Sequence, residues 1–168
     1  MPYRSGFEFR NGGLGPYIEA IPLAAVGSAC LGVALLVIWL LLTEMSWSVV
    51  PSSPGEFASV LVGLITGIGF AVTAAAFVVG FYLVIFGLPV AILLGPRLHR
   101  PWALTVTLLD AGASTLFVMT SDSIEVLQPD GPPILLFLWA LSFALPAGYL
   151  YRRGVIALRE QAEAFNDS

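Results

Sequence analysis

Hydrophobic positions in this chain fall in long unbroken runs rather than in an alternating or helical-face pattern. The longest is Phe57 to Leu94, FASVLVGLITGIGFAVTAAAFVVGFYLVIFGLPVAILL, which carries no Asp, Glu, Lys, Arg or His. A soluble domain cannot bury such a segment, whereas a bilayer core about 30 Å thick takes roughly 20 such residues per helix. Residues 18–42, 101–119 and 134–151 form further apolar stretches of span length. The pattern predicts an all-α integral membrane protein, a four-helix transmembrane bundle that makes one domain of residues 1–168. As one straight helix the central run measures about 57 Å, more than a tilted span uses. Gly87-Leu88-Pro89 is the expected break, since Gly ends helices and the following Pro cannot continue them in register. The second span is then 57–86, and 90–94 form a short interfacial segment.

The polar intervals fill in the rest. Residues 1–16 are a Gly-rich lead, and Pro22 is tolerated in the first turns of the first span. Arg4 and Arg10 do not mark a signal peptide, because the apolar run after them is too long. Ser53, Pro54 and Glu56 form a helix start with Ser53 as N-cap. Pro129-Asp130-Gly131 is a turn signal between the last two spans. Pro146 should leave the Ser142 carbonyl without its donor and kink the fourth span, with Gly148 easing the bend. In the tail, 152–168, Val155, Leu158, Ala162 and Phe165 share one helical face, with Arg159, Glu160 and Glu163 off it. This predicts a short amphipathic helix lying on the membrane surface or against a partner.

Charge then orients the spans. All seven basic residues are Arg, and they lie in the lead, in the 95–100 connection and in the tail. The other two connections carry only acids, Glu44, Glu56, Asp122, Glu125 and Asp130. The positive-inside rule places both termini in the cytoplasm of a plasma (inner) membrane. A five-span reading needs an uncharged turn and puts Arg97 and Arg100 on the wrong side. Tyr17, Trp102, Tyr149 and Tyr151 mark one interface, Trp39 and Trp47 the other, and Trp139 reads as a packing residue. Cys30 is the only cysteine and reads as a small lipid- or helix-facing residue. His99 lacks a second ligand, so neither metal nor cofactor is expected. No basic tract suggests nucleic acid. Membrane lipids, further copies of the chain and other membrane proteins are the expected partners.

Two small-residue stripes stand out, Ala24, Ser28 and Gly32 on the first span and Gly63, Gly67, Ala71 and Ala75 on the second. Such stripes allow the close backbone approach that holds helices together in lipid, and the second is expected to be the central packing seam. Asp110 is the one acid deep in a span, with Thr107 and Ser114 on its face and Ser121 beyond. A carboxylate there is costly unless protonated, paired or wet. It reads as a proton or ion site, as an acid neutralised by hydroxyls or by the Ser142 carbonyl, or as a partner contact. Glu19, in the first turn of its helix, suits the helix dipole. Arg97, His99 and Arg100 could contact anionic lipid headgroups, although topology alone explains them. Without HExxH, GxSxG or a phosphate loop, no enzymatic activity is expected. The sequence suggests an accessory or scaffold subunit acting through helix association. The alternative is a small proton- or cation-coupled transporter using Asp110. No internal repeat supports transport and no filter motif supports a channel.

Overall fold

The computed structural model describes residues 13–43, 53–120 and 133–166. Arg4, Arg10, Glu44, Trp47, Ser121, Asp122, Glu125 and the turn at 129–131 lie outside the described residues, as do the side chains of Glu163 and Phe165. The helices are α1 (Gly15–Thr43), α2 (Pro54–Tyr82), α3 (Leu88–Leu94), α4 (Pro101–Thr120) and α5 (Pro133–Asn166). Ser53 opens α2 as its sequence indicates, its hydroxyl accepting from the Glu56 N–H at 3.2 Å. Four helices are long and apolar enough to cross a membrane, one of them the continuous 46-residue stretch Pro54–His99. The protein is a multi-pass membrane protein built as a four-helix bundle.

Its interior is rich in small residues and its exterior in large apolar ones, as a lipid solvent favours. Leu23 (76% exposed), Phe70 (78%) and Leu93 (83%) face outward, while Ala24, Ala29, Ala103, Ala111 and Ala147 are buried. Leaving lipid for protein gains an apolar side chain little, so close fit decides which residues go inside. The α1–α5 seam shows this. Ala20, Ala24, Ser28 and Gly32 line it, buried, and a Cβ at Gly32 would stand 2.3 Å from the Phe143 ring. The Ser28 hydroxyl donates to the Phe143 carbonyl, one residue beyond the carbonyl that Pro146 deprives of its donor. The first stripe therefore packs within the chain. Trp139 meets Trp39 edge to face, with ring centroids 5.3 Å apart, which makes it the packing residue its position suggested.

Gly87-Leu88-Pro89 does not break the helix. Gly87 is right-handed helical at φ −67°, and a π turn over Leu83–Gly87 carries α2 into α3, with the Leu88 N–H bonding to the Leu83 carbonyl. Widening the turn by one residue accommodates a proline that would otherwise clash with the carbonyl four residues back. Gly87 instead provides clearance, since a Cβ there would stand 3.0 Å from Leu83 and 3.5 Å from Tyr151. Residues 90–94 are thus the continuation of a helix, with Ala91 in the core. The chain turns at Gly95, whose φ of +47° is left-handed, followed by a 3₁₀ turn over Gly95–His99. The tail is helical as expected but is no separate element. It continues α5 past Tyr151, and Val155 is fully buried.

Candidate functional site

The polar side of α4 meets α2 at mid-bundle. Ser114 donates its one hydroxyl hydrogen to the Asp110 carbonyl, so the Tyr82 hydroxyl, 2.7 Å away, must donate to Ser114. Thr107 turns back to the Leu104 carbonyl at 2.9 Å. Neither hydroxyl serves the Asp110 carboxylate. Among the described residues the half-buried carboxylate has no hydrogen-bond partner, which removes the expected neutralisation by Thr107 and Ser114. It borders a cavity of about 10 Å³ whose lining includes Tyr82, Gly87, Thr107 and Tyr151, close to the minimum volume for one water. The π turn forms one wall. Because the Leu88 N–H goes to Leu83 and Pro89 has none, the carbonyls of Val84 and Ile85 lose their usual donors. Tyr82 also lines an apolar groove of about 310 Å³ between α2, α4 and α5, with Val78, Thr115 and Phe143. Sequence reasoning missed Tyr82. Its signal was a phenol inside an uncharged run, since a tyrosine hydroxyl there must find a partner.

A second polar locus lies at the end of the bundle that carries the 95–100 connection. Arg159 is only 9% exposed. Its Nη1 donates to the Gly95 carbonyl at 3.0 Å and to the Tyr17 hydroxyl at 3.3 Å, and the guanidinium lies 6.0 Å from the centroid of the Tyr17 ring. Two turns earlier Arg152 donates to the carbonyls of Leu98 at 3.0 Å and Arg100 at 3.3 Å. Arg159 thus points inward, against the expectation from the isolated tail. Once α5 continues without a break, that face meets the carbonyls of the connection, which arginines near a helix end satisfy well. Tyr17 and Tyr151 are likewise core residues, 5% and 2% exposed, with the Tyr151 hydroxyl donating to the Tyr17 carbonyl. Trp102 and Tyr149 remain exposed, as do Glu19, Arg97, His99 and Arg100. Buried Leu98 fixes the connection between them.

The second small-residue stripe is the third locus, and it is not the seam of this bundle. Gly63, Gly67 and Ala71 are exposed and Ala75 is half-buried, and a Cβ at Gly63 or Gly67 would meet nothing within 4 Å. In all of α2 only Val79 is buried. Cys30 is exposed on α1. Among the described residues no group of three or more His, Cys, Asp or Glu could hold a metal ion. No family model, curated protein or solved structure matches the chain.

Proposed function

We propose that this protein is a non-enzymatic membrane subunit that works by helix–helix association, through the outer part of α2. One observation supports this above the rest: no residue from Pro54 to Val78 is buried, although the stretch is apolar and carries a small-residue ladder. A ladder of this kind lets another backbone come close, and at Gly63 and Gly67 nothing among the described residues does. Length adds to the case. The uncharged contour from Phe57 to Leu94 is about 57 Å, and at a tilt of about 40° it still spans about 44 Å, beyond the hydrocarbon core. A partner helix, from a second copy or another membrane protein, would cover the excess. Replacing Gly67 or Ala71 with Leu should overpack that contact by about 1–3 kcal/mol while leaving insertion intact. Crosslinking and size analysis in mild detergent test it.

A proton- or cation-coupled role for Asp110 is the second reading. It rests on the unbonded carboxylate beside a water-sized cavity and a π turn, a deviation frequent at functional sites. In proteoliposomes, Asp110→Asn should abolish proton or cation flux at unchanged thermal stability. Absence of flux in the wild type removes the reading.

A further inference from the structure

The contacts of Arg152 and Arg159 satisfy main-chain carbonyls, and capping alone accounts for Arg152. It does not account for the charge at Arg159. That guanidinium is nine-tenths buried, and all its acceptors are neutral, a carbonyl, a phenol and a ring face. Among the described residues no acid pairs with it or with any neighbouring arginine. Glu19 and Glu160 are exposed, without an ion pair. Among the described residues the donors of Arg159 other than Nη1 have no acceptor, yet none is sealed from the surface. They are accessible and unused. Arg97 and Arg100 stand exposed on the same connection that Arg152 and Arg159 grip. Four positive charges are therefore held around one short turn at the end of a membrane bundle. Burying an uncompensated charge is costly, and like charges held together add to the cost.

We infer that this end of the bundle binds the phosphate headgroup of an anionic membrane lipid, with Arg159 at the buried base and Arg97 and Arg100 at the rim. A phosphate supplies the missing counter-charge and has acceptor oxygens for the idle guanidinium donors, a pairing for which Arg is well suited. The lipid source follows from position. The site closes the helix ends where spans leave the hydrocarbon, and basic residues at that depth are attracted to anionic headgroups. The inference is independent of α2 and its partner.

The test uses the full-length protein, purified in neutral detergent and titrated with phosphatidylglycerol or phosphatidylcholine. Bound lipid is counted by native mass spectrometry. The wild type should hold phosphatidylglycerol in preference to phosphatidylcholine. Arg97→Gln with Arg100→Gln should weaken that binding by roughly 25-fold, about fivefold for each surface arginine. Lipid-free thermal stability should not change, because the connection accepts the clasp through main-chain carbonyls only. Arg97→Lys with Arg100→Lys should retain most of the binding, which separates lost charge from lost fold. Equal binding of the two lipids, or undiminished binding by the Gln variant, overturns the inference. Competition by inorganic phosphate at equal concentration also overturns it and reassigns the site to a soluble anion.

Discussion

At the scale of single residues, the decisive property in this bundle is the absence of side-chain volume. Gly32 shows it. A Cβ there would lie 2.3 Å from the Phe143 ring, so Gly32→Val forces the ring or the α1 backbone to move. We expect a loss of about 1–3 kcal/mol, the usual cost of overpacking, seen as a lower unfolding midpoint in detergent. Gly63→Val should stay within about 0.5 kcal/mol of wild type in the isolated protomer, since nothing in the chain approaches Gly63. A comparable loss at both positions would mean that α2 is packed inside the protomer after all. The two stripes look alike in sequence. Small residues four apart say which face permits close approach but not which helix arrives, so the seam at Ala24, Ser28 and Gly32 was legible and the open face at Gly63 and Gly67 was not. Asp110 presents the same limit. Its depth could be read from the span, but its hydroxyl neighbours prefer backbone carbonyls at i−3 and i−4, a competition that spacing does not reveal.

At the scale of elements, spans and caps followed from composition, while the joints between elements did not. Ser53-Pro54 starts α2 and Trp139 packs, both from local chemistry. Gly87-Leu88-Pro89 reads as a stop because Gly and Pro usually end helices, yet a π turn lets the helix absorb Pro89 and end at Gly95. The tail was misjudged for a related reason. Taken alone, Arg159 belongs to a wet face, and only the continuity of α5 brings it to the Gly95 carbonyl. These joints carry a prediction. If α2 and α3 form one crossing that ends at a basic connection, that connection lies on the cytoplasmic side. Leu98 is buried and cannot report, so the label belongs at exposed His99. With Cys30 replaced by Ala, His99→Cys should react in intact cells only with a membrane-permeant reagent. Labelling by an impermeant reagent would reverse the orientation or add a span.

For the whole molecule, α5 packs on both α1 and α4 and α2 packs against α1, while the first half of α2, from Pro54 to Gly67, stays exposed. The groove beside Tyr82 and the open face of α2 belong to the same departure from the bundle. Leaving the apolar first half of α2 uncovered, with Gly63 and Gly67 on its surface, makes sense when another helix completes it. Association through α2 is therefore the central claim. It is tested most directly by the assembly state of the purified protein in mild detergent, compared among wild type, Gly67→Leu and Ala71→Leu. The account predicts a stable dimer or a copurifying membrane partner for the wild type. Each substitution should weaken it by about 1–3 kcal/mol, roughly 5- to 150-fold in the association constant, with protomer stability unchanged. A wild-type monomer without a partner, indifferent to both substitutions, would contradict it.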